Sequence, residues 1–255
     1  MIRVVVAGGA GRMAGEVVRM IADANDMELE GILERAEHPL VGKELLGVRI
    51  SADLNTLLEK TDVIVEFTSS AGLSDILEQI KQTSIPLVSG TTGLSEDEFS
   101  RLADEGKKRA VFWSPNMSIG VNILFILTAQ VSRALQDYDV EVLEMHHRHK
   151  KDAPSGTAAK LAEIIKKNRK VSKILYGRSG HTGERPENEL GILALRAGDV
   201  TGEHTVYFVT EGERIELTHR ASSRKAFAQG TMKAIRFIAD KEKGFYEFSS
   251  ILEEM

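Results

Sequence analysis

The densest group of reactive side chains is the run Glu144-Met145-His146-His147-Arg148-His149-Lys150-Lys151-Asp152-Ala153-Pro154-Ser155-Gly156-Thr157-Ala158. Its histidines, arginine and lysines follow a strand-like stretch, and a helix start comes next. Ser155 suits an N-cap, and Pro154 fixes the approach to it. Gly156 and Thr157 then fall in the first turn, where backbone N–H groups have no partner within the helix and the dipole is positive. Cations gathered at such a terminus make a site for a carboxylate or phosphate. They also supply protons near neutrality: imidazole titrates near ~6.5, and a lysine beside other cations gives up its proton more readily. Two other readings compete, a solvated basic edge and a metal site. The second has no cysteine to draw on, and the nearest carboxylates complete no recognisable ligand set. Anion binding with acid catalysis therefore ranks first, and no metal is expected.

A second candidate site lies at the start of the chain. Val4-Val5-Val6-Ala7-Gly8-Gly9-Ala10-Gly11-Arg12-Met13-Ala14 joins a strand to a helix, and Gly9, Gly11 and Ala14 fit the G-x-G-x-x-G/A fingerprint. Glycines let the backbone turn tightly and let a pyrophosphate approach, while the helix amides beyond receive its charge. The motif is weak alone. Here an acid also ends the next strand: Glu34 lies 23 residues past Gly11, close to the ~20 expected of a ribose-binding carboxylate. Glu34 favours NADH, because a 2′-phosphate would face a carboxylate; Arg35 and Arg12 either pair with that phosphate and favour NADPH or are simply solvated. The cofactor expected is NADH or NADPH, with the preference open.

Strands and helices alternate around these sites. Strands are expected at 2–7, 29–33, 62–67, 86–89 and 110–113, with helices at 12–24, near 75–82 and at 95–106, the last carrying a capping box of Ser95 and Glu98. That alternation implies a parallel sheet with helices on both faces. After residue 117 the pattern changes to a long apolar helix at 119–135, a strand at 139–146, a helix at 155–167 and three strands between 190 and 220, with Gly212 at a hairpin turn. A last amphipathic helix is expected at 225–239. The fold class expected is α/β: a Rossmann-type dinucleotide-binding domain at 1–117, completed by 225–255, and an α+β domain at 118–224 with an open, mixed or mostly antiparallel sheet.

Bulk properties narrow the partners. The 255 residues are 42% hydrophobic and 28% charged, with a net charge of −5 and no cysteine. Nothing there attracts nucleic acid or an anionic membrane, and disulfide or thiol chemistry is excluded. The chain enters its first strand without the layout of a signal peptide, and 119–129 falls far short of the ~20 apolar residues of a membrane span. A cytoplasmic protein is expected.

The run from His146 to Ala158 resembles the signature of the 4-hydroxy-tetrahydrodipicolinate reductase family, long called dihydrodipicolinate reductases. Further blocks match in order: Ala7–Met13, Leu33-Glu34-Arg35, Phe67-Thr68, Gly90-Thr91-Thr92-Gly93, 114–122, 180–185, 196–199 and 218–224. Gly9-Ala10 departs from the Ala-Gly common in relatives. The resemblance implies that Gly8, Gly9, Ala10, Gly11, Arg12, Met13, Glu34, Arg35, Gly90, Thr91, Thr92, Ser114, Pro115, Asn116 and Met117 bind the cofactor. It makes His146 the catalytic acid/base and Lys150 a second proton donor, with His147, Gly156 and Thr157 holding the carboxylates of a small dicarboxylate substrate. It implies reduction of that substrate to tetrahydrodipicolinate in lysine and diaminopimelate biosynthesis, by a homotetramer paired through second-domain sheets. The blocks at 180–185 and 196–199 read only as turns. The alternatives are another two-domain NAD(P)-dependent dehydrogenase acting on a small carboxylate, and a non-catalytic NAD(P)H sensor, which would need no proton donors.

Overall fold

In a computed structural model describing residues 1–254, the apolar run Ile2–Ala7 (β1) lies at the centre of a sheet, its last four residues buried. Helix α1 (Ala14–Ala22) follows, then β2 (Met27–Leu33) and a short hairpin of β3 (Glu44–Leu45) and β4 (Val48–Ser51). β5 (Val63–Glu66), α2 (Ser70–Ile80), β6 (Leu87–Ser89), α3 (Glu96–Glu105) and β7 (Ala110–Trp113) continue the alternation. Next come α4 (Ile119–Ala134), β8 (Asp139–His146), α5 (Gly156–Asn168), β9 (Lys173–Leu175), β10 (Glu189–Arg196), β11 (Gly202–Thr210) and β12 (Glu213–Ala221). The chain ends with α6 (Lys225–Ala239), β13 (Gly244–Tyr246) and α7 (Phe248–Glu253). It divides into two units, one of Met1–Ser118 with the segment from Arg224 onward, the other Ile119–Ser223.

The first unit holds an eight-stranded sheet in the order β13-β7-β6-β5-β1-β2-β4-β3, parallel except for the β3–β4 hairpin. Val5, Ile64, Leu87 and Val111 from its strands pack with Leu73, Ile76 and Leu102 from α2 and α3. From β1 the chain builds outward through β2 and β4, then returns to the other side of β1 and builds through β5, β6 and β7. Strand order thus reverses between β1 and β5, and a crevice opens at the carboxyl ends of a sheet where that happens. α6 packs on α1, and Arg236 pairs with Asp26 at 2.7 Å.

The second unit holds a five-stranded sheet in the order β12-β11-β8-β10-β9. β12, β11 and β8 pair antiparallel, but β8, β10 and β9 pair parallel. The sheet is therefore mixed, the first of the two arrangements expected, because α5 carries the chain from β8 to β9 and a helical crossover returns it in the same direction. α4 and α5 cover one face, where Val140, Val142, Ile192, Val206 and Phe208 meet Leu124, Phe125, Leu161 and Ile165. On the other face Leu143, Met145, Leu193 and Tyr207 stay half-buried and Leu195 is exposed.

Most boundaries agree with the sequence pattern to a few residues, and the differences have local causes. α1 begins at Ala14 rather than 12, because residues 8–13 form a turn closed by Gly11 N–H on Gly8 O at 2.8 Å. α2 begins at Ser70 rather than near 75, because the Ser69 hydroxyl accepts from Gly72 N–H and starts the helix early. β3, β4, β9, β13 and α7 are too short to show a period. The capping box of Ser95 and Glu98 forms as expected. Among the described residues, no helix is long and apolar enough to cross a membrane.

One glycine yields a test of this packing. A Cβ on Gly230, mid-way along α6, would lie 1.7 Å from the Met117 carbonyl oxygen. Helix propensity alone makes Gly→Ala stabilising by ~1 kcal/mol. Here the added methyl has to push backbone aside, so Gly230→Ala is expected to destabilise the protein by about 1–3 kcal/mol, the usual cost of overpacking. The check is the urea midpoint; a neutral or raised value would refute the close approach.

Candidate active site

The carboxyl ends of β1, β2 and β5 open onto a cleft of about 600 Å³ whose walls include Gly8, Ala10, Gly11, Glu34, Arg35, Phe67 and Thr68. Gly8 has φ +77°, and a Cβ there would lie 2.5 Å from Phe67 O; one on Gly9 would lie 2.6 Å from Ile32 Cγ2. Both glycines let the loop press down on the strand ends, leaving a cradle that side chains would fill. A dinucleotide pyrophosphate fits that cradle. Glu34 Oε1 accepts from Ala10 N–H at 2.9 Å, so the acid expected at the ribose also latches the loop. Arg35 lines the cleft, while Arg12, on the same loop, is exposed.

The other residues expected at the cofactor lie at the same end of the sheet, outside the walls of that cleft. Gly90, Thr91 and Thr92 follow β6. A Cβ on Gly90 would lie 2.2 Å from the Phe67 ring. Glu66, fully buried at the end of β5, binds these loops together. It accepts from Thr68 N–H (3.1 Å), Thr68 Oγ1 (2.8 Å), Thr91 N–H (3.3 Å), Thr91 Oγ1 (2.7 Å) and the Ser89 hydroxyl. Ser114, Pro115, Asn116 and Met117 follow β7. The Ser114 hydroxyl donates to Asn116 O at 2.8 Å, and Met117 is buried.

In the second unit, alternate residues of β8 face the helix-covered side: Val140, Val142, Glu144 and His146, all buried. The first two belong to the apolar core; the last two turn the same face into a charged site. Register brings in two residues from far along the chain. β11 sets His204 opposite Glu144, and β10 sets Arg196 opposite His146. Glu144 Oε2 lies 2.5 Å from His146 Nδ1, while Oε1 accepts from Arg196 Nη2 at 3.0 Å and Ser155 N–H at 3.1 Å. Burial pushes the Glu144 carboxyl up, but the bonds from His146, Arg196 and Ser155 outweigh it and hold the group down at about 2. His204 is driven down to about 3, first by burial and then by the neighbouring His146, so it is neutral. Its Nε2 meets the Ser155 hydroxyl at 3.1 Å, which also accepts from Ala158 N–H as the N-cap of α5.

Lys150 pairs with Asp152, its Nζ 2.9 and 2.8 Å from the two carboxylate oxygens. Arg196 Nη2 donates to Asp152 O at 2.7 Å, which ties the basic loop to β10. Gly156 and Thr157 open the first turn of α5. The His147 ring lies 6.3 Å from that of His149. His146, Lys150, Gly156 and Thr157 thus share one end of this unit. Arg196 and His204 went unseen in the sequence, because a turn-like Arg-Ala-Gly-Asp and a lone strand histidine carry no signal until register places them. Arg185, in the other turn-like block, donates to Glu141 Oε1 at 3.2 Å and fastens its loop to β8.

The fold assembles a set that spacing along the chain does not reveal: Glu144, His146 and His204 bring ligand-type atoms within 4.8 Å of one another. One carboxylate and two imidazoles suit zinc. Here the same carboxylate already carries a guanidinium, and a dication would sit against it and near Lys150. The three groups thus meet in one buried polar cluster.

Comparisons with known proteins agree with both halves. Residues 2–117 match the family model described as Dihydrodipicolinate reductase, N-terminus, and residues 120–252 the one described as Dihydrodipicolinate reductase, C-terminus. The chain is 45% identical over 268 residues to the 4-hydroxy-tetrahydrodipicolinate reductase of Methanocaldococcus jannaschii, covering 99% of this chain and 97% of the relative. It is 42% identical over 263 residues to that of Nitrosomonas eutropha, covering 99% and 98%. A dipicolinate-bound dihydrodipicolinate reductase from Paenisporosarcina superimposes with a TM-score of 0.80 at 25% identity, covering 97% of each chain. A probable dehydrogenase from Thermotoga maritima, at 13% identity and a TM-score of 0.65 over 95% of this chain and 90% of its own, shares the fold. With both family models matched across nearly its whole length, the chain belongs to the dihydrodipicolinate reductase family.

Proposed function

We propose that the protein reduces 4-hydroxy-tetrahydrodipicolinate to tetrahydrodipicolinate with NADH or NADPH, in lysine and diaminopimelate biosynthesis. The observation that carries this reading is the gathering of His146, Lys150 and Arg196 beside the N-terminus of α5 in a chain of this family. A dianionic substrate needs cations and helix amides, and the reaction needs a proton donor. The substrate loses its 4-hydroxyl as water to give a conjugated imine. The reduced nicotinamide supplies a hydride to that conjugated system. The resulting enamine carbon then takes a proton, leaving NAD(P)+ and tetrahydrodipicolinate.

The first unit binds the cofactor through Gly8–Met13, Glu34 and Arg35, with Gly90–Thr92 and Ser114–Met117 at the nicotinamide. The second binds the substrate. His146 delivers the proton, and Lys150, paired with Asp152, is the second donor. His147, Gly156 and Thr157 hold the carboxylates. The protein's site of action is the cytoplasm, a reading that the absence of cysteine supports. The half-buried apolar residues on the uncovered face of the second sheet support a homotetramer paired through that face, a role for this unit beyond substrate binding.

Four measurements test this reading. NADH absorbance should decay on addition of the pathway aldol product, at a rate unaffected by EDTA; chelator-sensitive activity would favour a metal at Glu144, His146 and His204. His146→Gln and Lys150→Ala should each lower kcat by roughly 10²–10⁴-fold, the range for a lost general acid. His147→Gln should mainly raise the substrate KM, and NADH affinity by fluorescence titration should stay near wild type in all three. A His146→Gln enzyme with normal kcat would overturn the assignment. Since Glu34 and Arg35 line one cleft, KM for NADH and NADPH should differ by less than about a hundredfold, or ~2.7 kcal/mol; a larger ratio in side-by-side kinetics would end the dual-use reading.

A further inference from the structure

We infer that Glu144 is a positioning residue for this reaction: its carboxylate holds the His146 ring by Nδ1, so that the proton to be delivered sits on Nε2. The inference rests on the reading of His146 as the proton donor. Glu144 and His146 share one face of β8, two residues apart, and Oε2 lies 2.5 Å from Nδ1. The carboxylate is pinned from its other side, since Oε1 takes Arg196 Nη2 at 3.0 Å and Ser155 N–H at 3.1 Å. Its side chain is fully buried, and that of His146 is 11% exposed. A carboxylate fixed at Oε1 by two donors from other elements cannot freely follow the ring; the ring must conform to it.

The chemistry follows from the charge. An ionised carboxylate only accepts, so Nδ1 carries a hydrogen whatever the state of Nε2. The protonated ring then has one transferable proton, on Nε2. When that proton passes to the enamine carbon, the ring is left as the neutral Nδ1–H tautomer that Glu144 already favours, and solvent restores the proton. The surroundings suit this task. A Cβ on Gly202 would lie 3.1 Å from Nε2, so the missing side chain leaves that nitrogen uncrowded. The charged groups facing the pair are Arg196 and Lys150 with its partner Asp152. His204, whose ring centre lies 5.2 Å from that of His146, adds no charge because burial keeps it neutral.

Glu144 also braces Arg196 and Ser155, so the test must separate positioning from bracing. Glu144→Gln keeps the shape and one acceptor oxygen, but its amide nitrogen would donate to Nδ1 and force the opposite tautomer. Its kcat should fall by about 10²–10⁴-fold, as for an orienting carboxylate elsewhere, while substrate KM and NADH affinity stay near wild type. Added to His146→Gln, the same substitution should change kcat by less than about twofold, because residues acting as one unit are not additive. In the wild-type enzyme, 15N imidazole shifts should show Nδ1 of His146 protonated while the ring is neutral. Near-normal kcat in Glu144→Gln with His146→Gln impaired would overturn this inference alone. Additive losses in the double variant, or an Nε2–H tautomer in the wild type, would do the same, and the wild-type spectrum requires no variant to fold. Normal kcat in His146→Gln would remove the proton-donor reading itself, and this inference with it.

Discussion

A carboxylate buried at the end of a strand has to replace the water it has lost with donors from its neighbours, and each unit of this protein is organised around one such group. In the first unit Glu66 takes two backbone and three hydroxyl hydrogens from the last residue of β6 and the segments after β5 and β6. In the second, Glu144 takes an arginine, a backbone amide and a histidine from three different elements. Remove either carboxylate and the loops it gathers lose the one acceptor common to them. The two groups do different things with the same physics. Glu66 meets only neutral donors and so fixes backbone. Glu144 meets cations and so fixes a charge pattern.

The halves also differ in how they make room for a ligand. The first relies on missing side chains: Gly8, Gly9 and Gly90 let backbone, an isoleucine methyl and an aromatic ring, respectively, come closer than any Cβ would allow. The second relies on alternation. The core-facing residues of β8 stay apolar while helices cover them and become ionisable where the strand runs out toward the start of α5. The site there is the polar end of a hydrophobic face, which keeps Glu144 and His204 buried without a separate scaffold.

Much of this was legible in the sequence, for physical reasons. β1, β8 and α6 have the bounds that periodicity gives, because a strand or helix with one buried face must repeat its apolar residues. The phosphate loop and the cap of α5 were readable because each depends on residues adjacent along the chain. What depends on pairing was not readable. Arg196 and His204 reach Glu144 only through the registers of β10 and β11 on β8, and no local pattern encodes a register. Which strands of the mixed second sheet run parallel was likewise not readable: β9 is three residues long and shows no period. Glu34 was readable as an acid at a strand end, but not its bond to Ala10, which exists only once the loop has folded down.

The second unit is an insertion in the first, and this imposes an order on folding. The residues from Ile119 to Ser223 are continuous, so that unit has all its strands once they have left the ribosome. The first unit is begun earlier but completed later. β7 waits for β13, and Asp26 on the rim of the first unit waits for Arg236, 210 residues away. Closing so long a loop is entropically dear and slow. Until α6 arrives, α1 keeps apolar side chains uncovered, and such surface invites aggregation during synthesis. For a growing chain, the cofactor-binding half is therefore the vulnerable one, although its sequence is translated first.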